Sequence, residues 1–133
     1  MITTGVDIIK VDRIKKILDN KREAFYNKIF TEKEILYIQS KNNDPKTVAT
    51  LFAAKEAISK ALGTGIGKIT WKDMEISHDK NGKPLVNLTQ RTTYILNDLN
   101  INKFDISISH EEEFAVAFAI GYYSLTLEKE KTD

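Results

Sequence analysis

The chain has 133 residues, a formal net charge of +1 and no cysteine. Its length and its balance of 41% hydrophobic and 29% charged residues predict one globular domain with its own core. The lack of cysteine excludes disulfides, thiolate metal ligands and a cysteine nucleophile within the chain, and two histidines argue against a histidine-rich zinc site. No apolar run approaches the ~18 residues of a membrane span and residues 1–7 do not resemble a signal peptide, so we expect a cytoplasmic protein without membrane contact.

The first two predicted elements are a strand and a basic helix. β-Branched residues around Gly5 predict a strand over residues 2–9, where the glycine marks a bulge or a close approach, and Asp7 lies near its end. From Val11 an apolar stripe recurs at helical spacing, and residues 10–28 carry seven basic side chains against three acidic ones. These charges alone favour a solvated outer face, although a local basic surface also fits an acidic partner. No series of stacking aromatic residues accompanies them, so we do not expect nucleic acid.

Two more helices are predicted next. Thr31 and Glu34 have the spacing of a capping box, which predicts a short helix over residues 32–40. Residues 42–45 break that helix. A longer helix is predicted to begin after Asp44 and to continue to Leu62, where a glycine-rich segment ends it.

The second half of the chain predicts strands and one further helix. Strands over residues 73–77 and 85–88 flank Asn81-Gly82, a pair that can supply the positive φ angles of a tight hairpin turn. A helix over residues 89–99 and strands over 104–109 and 114–120 follow, and the last strand lacks polar alternation, which predicts burial on both faces. This order predicts the α+β class with a mainly antiparallel sheet, in one domain over residues 1–127 with a frayed tail over 128–133.

Residues 52–67 carry the strongest chemical signal. Alanines favour a closely packed helix, and Glu56 and Lys60 project from the same side of it because they lie four residues apart. One side chain could bind a cation and the other a phosphate oxygen. The segment then ends in Gly63, Gly65 and Gly67, which leave backbone N–H groups open to a pyrophosphate, although they also fit a simple helix stop and turn.

Asp7 and Glu56 together predict a metal site. Taken alone, Asp7 fits a turn or cap residue, and Glu56 with Lys60 fits an exposed ion pair of small energy. Both acids, however, lie in apolar stretches of sequence, where an unpaired charge is costly and a cation would account for it. Two carboxylates with waters and phosphate oxygens are the usual ligands of Mg²⁺.

Six separated blocks closely resemble bacterial holo-[acyl-carrier-protein] synthase in order and spacing. The blocks are Gly5-Val6-Asp7-Ile8 with Arg13-Ile14, Phe30-Thr31-Glu32-Lys33-Glu34, Phe52-Ala53-Ala54-Lys55-Glu56-Ala57, Lys60-Ala61-Leu62-Gly63-Thr64-Gly65, Asn81-Gly82-Lys83-Pro84 and Ser107-Ile108-Ser109-His110. The resemblance implies a 4′-phosphopantetheinyl transferase of fatty acid biosynthesis. Such an enzyme moves the phosphopantetheine arm of coenzyme A to a serine of apo acyl carrier protein and releases adenosine 3′,5′-bisphosphate.

The resemblance also implies roles for the site residues. Asp7 and Glu56 match the family's ligands for Mg²⁺, which Mn²⁺ could replace, and Lys60 matches its phosphate-facing lysine. Either Glu56 or a metal-held water takes the serine proton. His110 matches a contact to a coenzyme A phosphate, and Gly63 and Gly65 lie where the substrate approaches. From its position alone, His110 fits a surface or structural residue.

Partner contacts follow from the same resemblance. The family docks the acidic carrier protein along its first helix, which implies contacts at Arg13, Lys16, Lys21, Arg22 and the exposed body of Phe25. It forms homotrimers with sites between subunits, and strand 114–120 could line the threefold core.

Two features depart from the family's pattern. Leu51 stands where members often have a basic residue, and Glu111, Glu112 and Glu113 follow His110, where they would repel a phosphate unless they point to solvent.

Two other functions fit parts of the sequence. One is a non-catalytic adaptor that holds an acidic protein on the basic helix. The other is a metal-dependent hydrolase of nucleotide pyrophosphates.

Overall fold

The computed structural model describes residues 1–63 and 67–125, which form an α+β fold with antiparallel sheets, as predicted. In chain order its elements are β1 (Ile2–Lys10), α1 (Val11–Ile29), α2 (Glu32–Ser40), α3 (Pro45–Leu62), a 3₁₀ turn (Trp71–Asp73), β2 (Met74–His78), β3 (Pro84–Leu88), α4 (Gln90–Asn97), β4 (Lys103–His110) and β5 (Phe114–Tyr122). One sheet has the order β1-β5-β4, and β2 and β3 form a separate hairpin. The predicted tail over residues 128–133 lies outside the described residues. No helix in the described ranges combines the length and apolarity needed to cross a membrane.

The predicted helix boundaries are confirmed by their caps. At α2, the Thr31 hydroxyl accepts from the Glu34 N–H at 3.2 Å, and the Glu34 carboxylate accepts from the Thr31 N–H at 2.9 Å. At α3, Asp44 Oδ1 accepts from the Lys46 N–H at 2.9 Å, and Gly63 ends the helix at φ +78°. Such a positive φ favours glycine, so the stop is encoded locally.

Gly5 marks a close approach of β1 to α3. A Cβ at this position would lie 2.0 Å from the carbonyl oxygen of Ala57 and 2.7 Å from the nitrogen of Ala61. The pairing of β1 with β5 runs without a break from Ile2 to Lys10, so there is no bulge. Because side chains alternate along a strand, Asp7 shares the face of Gly5 and is brought towards α3.

The opposite face of the three-stranded sheet is largely bare. On β1, Ile8 is 63% exposed and Val6 is 54% exposed, and Phe118 on β5 is 40% exposed beside Val6. The prediction that β5 is buried on both faces is therefore wrong for the single chain. Its alanines at 115, 117 and 119 are buried against α3, whereas the alternate apolar side chains face outwards.

The turn between β2 and β3 differs in detail from the prediction. Only Gly82 has a positive φ, +85°, whereas Asn81 does not. Asp79 Oδ1 accepts from the N–H groups of Asn81 at 2.8 Å and Lys83 at 2.9 Å, and so orders the loop. The connection spans residues 79–83 and is therefore longer than the predicted two-residue turn, so it does not need a positive φ at Asn81.

A buried ion pair joins the hairpin to the helices. Lys55 Nζ lies 2.8 Å from Glu34 Oε1, and both side chains are fully buried. Lys55 also donates to the carbonyl oxygens of Trp71 and Met74, each at 2.8 Å, while Glu34 Oε2 accepts from the Ile76 N–H at 2.8 Å. Each charged atom therefore has its partners, and α2, α3 and β2 are tied at one point.

Candidate active site

Asp7 and Lys60 meet where β1 crosses α3. Lys60 Nζ donates to Asp7 Oδ1 at 3.2 Å and to the carbonyl oxygen of Val6 at 2.9 Å. The Asp7 side chain is 17% exposed, whereas that of Lys60 is 55% exposed. Lys60 thus pairs with Asp7 on a distant strand and not with Glu56 one helical turn away. The surface ion pair between Glu56 and Lys60 that their helical spacing allows is therefore not formed.

Glu56 lies beside this pair without a bonded partner of its own. Within residues 1–63 and 67–125 its side chain has no hydrogen bond or ion pair. Its pKa is raised by burial and, second, by the charge of Asp7, while Lys60 and Arg13 oppose the shift. The two carboxylates are therefore close enough to repel each other in a partly buried place.

This donor set fits Mg²⁺. Carboxylate oxygens are hard ligands, and a divalent cation would offset both the burial cost and the repulsion. No cluster of three or more metal-ligating side chains occurs in the described part of the chain. Waters and substrate oxygens would have to complete the ligand set, as is usual for Mg²⁺ beside phosphates.

The basic helix α1 begins next to these acids. Arg13 lies close enough to lower the pKa of Glu56 against the effect of burial. Lys16, Lys21 and Arg22 are exposed, and Lys16 pairs with Asp12 at 3.2 Å. Lys21 has a non-helical φ of −142° and marks a kink in α1.

Phe25 does not present the exposed surface that was expected. It is half-buried, and its ring packs against those of Phe30 and Phe52, with centroids 5.9 Å and 5.6 Å away. Only part of this side chain is therefore accessible to a partner.

A cavity of about 420 Å³ lies between α2, α3, the β2–β3 hairpin and the end of β4. Its lining residues are Tyr37, Thr47, Thr50, Leu51, His78, Gly82, Pro84, Ile108, Ser109 and His110. This volume is in the range of small-molecule sites. His110 is therefore at a pocket, as a substrate contact requires, whereas Asp7, Glu56 and Lys60 do not line it. Gly63 is exposed at the end of α3, and Gly65 lies outside the described residues.

The three glutamates after His110 are all exposed. Glu111 Oε1 accepts from the N–H groups of Glu113 and Phe114 within their own turn, and Glu112 lies 3.5 Å from Lys46 Nζ. Two of the three carboxylates thus have partners at the surface, and all three glutamates are open to solvent.

Sequence reasoning did not identify Tyr37, His78, Thr47 or Ser109 as cavity residues. Tyr37 and His78 lie on different elements, and their rings stack with centroids 4.2 Å apart and planes inclined by 13°. Nothing in the local sequence of either residue signals this contact, because only the docking of the hairpin against α2 brings them together.

The chain matches the family model described as the 4′-phosphopantetheinyl transferase superfamily over residues 3–119. It is similar to the holo-[acyl-carrier-protein] synthase of Caldanaerobacter subterraneus subsp. tengcongensis, with 44% identity over 120 residues that cover 90% of this chain and 94% of the relative.

Two solved structures are also similar. One is the Helicobacter pylori holo-[acyl-carrier-protein] synthase in complex with coenzyme A, with a TM-score of 0.80, 31% identity, and coverage of 89% of this chain and 98% of that one. The other is a holo-(acyl-carrier-protein) synthase from Bacillus anthracis in complex with CoA (3′,5′-ADP), with a TM-score of 0.76, 38% identity, and coverage of 92% and 96%.

Proposed function

The chain belongs to the 4′-phosphopantetheinyl transferase superfamily, and we propose that it is a Mg²⁺-dependent member in which Asp7 and Glu56 bind the metal. It transfers the 4′-phosphopantetheine group of coenzyme A to a serine of apo acyl carrier protein and releases adenosine 3′,5′-bisphosphate. The observation that supports the metal site is the meeting of two repelling carboxylates with one lysine where β1 crosses α3.

In the proposed reaction Lys60 positions both protein and substrate. Its ammonium group has three N–H donors, of which Asp7 and the Val6 carbonyl take two. The third is left for an oxygen of the coenzyme A pyrophosphate, since the side chain is partly exposed. Lys60 can therefore hold Asp7 in place and bind phosphate at the same time.

Glu56 is the residue placed to accept the proton of the carrier protein's serine, directly or through a water that it holds. Burial and the neighbouring Asp7 raise the pKa of Glu56 when no metal is bound, whereas a bound divalent cation would favour its ionised form, which is the form that can accept a proton. Bound Mg²⁺ would polarise the phosphorus and offset the charge of the leaving phosphate. Mn²⁺ offers the same preference for oxygen ligands.

The acidic carrier protein docks, in this proposal, on the basic face of α1. Arg13 is its best-placed contact because it lies beside Glu56, so that a docked partner reaches the site directly. Lys16, Lys21 and Arg22 extend the positive surface, and Phe25 adds an edge. Such charges chiefly speed association and make it sensitive to salt.

We further propose that three chains assemble through the bare face of the sheet. Ile8, Val6 and Phe118 expose apolar surface that a soluble monomer would not keep, and assembly would cover it. A role in fatty acid biosynthesis and a cytoplasmic location, both expected from the sequence, remain predictions.

The direct test is a mass-shift assay on purified chain, coenzyme A, Mg²⁺ and apo carrier protein. The carrier protein should gain the mass of phosphopantetheine on one serine, and EDTA should prevent it. No mass change with a folded, metal-loaded preparation would contradict the proposal. Asp7→Ala should still dock the carrier protein but lose turnover, whereas an adaptor would be unaffected. Release of adenosine bisphosphate without carrier protein would instead indicate a hydrolase.

A further inference from the structure

Lys60 binds one of the two carboxylates that the proposed metal would use. Its ammonium group lies 3.2 Å from Asp7 Oδ1 and 2.9 Å from the Val6 carbonyl oxygen. The Asp7 side chain is only 17% exposed, which limits the screening of this pair by water and salt. A divalent cation that binds Asp7 would therefore meet a positive charge already bound to the same carboxylate.

A second positive charge lies near the other carboxylate. Burial and then the charge of Asp7 raise the pKa of Glu56, while Lys60 and Arg13 lower it. Among the described residues, the charged side chains that act on one another here come from β1, α1 and α3, and their two positive charges balance their two negative ones. A site without net negative charge has little long-range attraction for Mg²⁺.

The pyrophosphate of coenzyme A would change this charge balance. Lys60 is 55% exposed, and its third N–H donor can reach a phosphate oxygen while the other two stay on Asp7 and Val6. A phosphate bound there would offset the ammonium charge, and other phosphate oxygens would complete the ligands of Mg²⁺. The substrate thus brings the net negative charge that the protein groups alone do not supply.

We propose that Lys60 lowers the affinity of Asp7 and Glu56 for a divalent cation until coenzyme A is bound, so that metal and coenzyme A bind cooperatively. The inference rests on the proposed transfer function, which makes coenzyme A the substrate and these two acids the metal ligands. It gives Lys60 a role in the free protein besides its phosphate contact. By linkage, the metal must weaken the interaction of Lys60 with Asp7 by the same factor.

Binding of Mn²⁺ to the full chain tests this role, with free Mn²⁺ measured by electron paramagnetic resonance. Without coenzyme A, we expect Lys60→Met to bind Mn²⁺ at least about 5-fold more tightly than the wild type, because it removes the charge and keeps an unbranched side chain. Lys46→Met is the matched control. Lys46 also pairs with carboxylates, those of Asp44 and Glu112, but it lies on α3 roughly 20 Å from Lys60, so its loss should leave Mn²⁺ affinity unchanged.

Coenzyme A, added without carrier protein, provides the second comparison. It should tighten Mn²⁺ binding by a larger factor in the wild type than in Lys60→Met. If the folded variant binds Mn²⁺ no more tightly than the wild type, or if coenzyme A tightens binding equally in both, the inference is overturned. Lys60→Gln is a second neutral variant for the case that Lys60→Met does not fold.

The same titrations separate this inference from the proposed function. Tighter Mn²⁺ binding in Lys60→Met, together with no mass shift of the carrier protein by the wild type, would support the role of Lys60 and contradict the transfer function. Absence of Mn²⁺ binding to the wild type and to both Lys60 variants, with and without coenzyme A, would contradict the metal site and the inference together.

Discussion

Lys55 and Glu56 are neighbours on α3, yet their surroundings are opposite. Lys55 is fully buried and has three acceptors for its three N–H groups, among them the Glu34 carboxylate. Glu56 is half-buried, has no bonded partner in the described ranges, and is pushed towards its neutral form by burial and by Asp7. Adjacent residues of a helix point about 100° apart, so Lys55 faces the core while Glu56 faces the candidate site.

Under the proposed function, Lys55 is a charge with structural partners and Glu56 is a charge that binds a ligand. Removing one partner of a satisfied buried ion pair leaves the other charge unpaired and costs folding free energy. Neutralising a repelled carboxylate should cost the fold nothing and the reaction a great deal. Substitutions at the two positions should therefore have opposite effects on stability and on turnover.

The largest effect is expected at Lys55. Lys55→Met leaves the Glu34 carboxylate buried without its partner, so we expect the free energy of unfolding to fall by about 3–5 kcal/mol. Urea denaturation would measure it. Lys33→Met, at an exposed lysine of α2, should cost less than about 1 kcal/mol. Equal losses of unfolding free energy in the two variants would contradict a special structural role for the buried Lys55.

Glu56→Gln should show the reverse pattern. We expect kcat/KM for transfer to fall by at least about 100-fold, because both a metal ligand and the proton acceptor are changed. The fold should be retained by circular dichroism. Glu32→Gln, at an exposed glutamate of α2, is the matched control and should keep full activity. Turnover within about threefold of the wild type in Glu56→Gln would refute the role of this carboxylate.

The helices and strands that carry Lys55, Glu56 and Asp7 could be predicted from the sequence, but the contacts between them could not. Capping residues at Thr31 and Asp44, the glycine stop at Gly63 and the apolar periods are local signals, and they predicted each helix and strand to within a few residues. The pairing of Lys60 with Asp7 depends on the close crossing of β1 and α3. Gly5 permits this close crossing, but no local sequence pattern predicts it.

Other features of the site depend on tertiary contacts in the same way. The Tyr37–His78 stack forms only when the hairpin docks against α2. The exposure of one face of the sheet was not predicted. A strand without polar alternation predicts burial on both faces, but the sequence does not say whether the same chain or another copy covers each face.

A smaller effect on turnover is expected at Arg13, in the proposed docking surface for the carrier protein. Arg13→Ala should raise the KM for carrier protein several-fold at low salt and reduce its salt dependence, because an exposed charge mainly aids association. Initial rates at several salt concentrations would show this. Lys28→Ala, at the other end of α1, should have little effect. An identical salt dependence in Arg13→Ala and the wild type would argue against docking beside Glu56.

The smallest predicted effect is a change in the pH dependence of stability at His78. Unlike Lys55 and Glu56, this titratable side chain is stacked on an aromatic ring. Its pKa is lowered in the fold by burial and by Lys41, so the unfolded chain binds its proton more readily. Its contribution to stability is complete above the unfolded pKa of about 6.5 and is lost as pH falls through the folded pKa. His78→Phe should flatten the dependence of unfolding free energy on pH between about 5 and 7. An unchanged slope would contradict the buried, neutral state of this ring.

The most direct test of the account compares the stability of the wild type and Glu56→Gln with and without ligands. Free energies of unfolding would be measured in urea, first with EDTA and then with Mg²⁺ and coenzyme A. With EDTA we expect the variant to be more stable by up to about 1 kcal/mol, since a repelled, partly buried charge is gone. With Mg²⁺ and coenzyme A the order should reverse, because only the wild type keeps both metal ligands. A variant that is less stable than the wild type in EDTA, and equally stabilised by the ligands, would contradict the claim that Glu56 is kept for a metal.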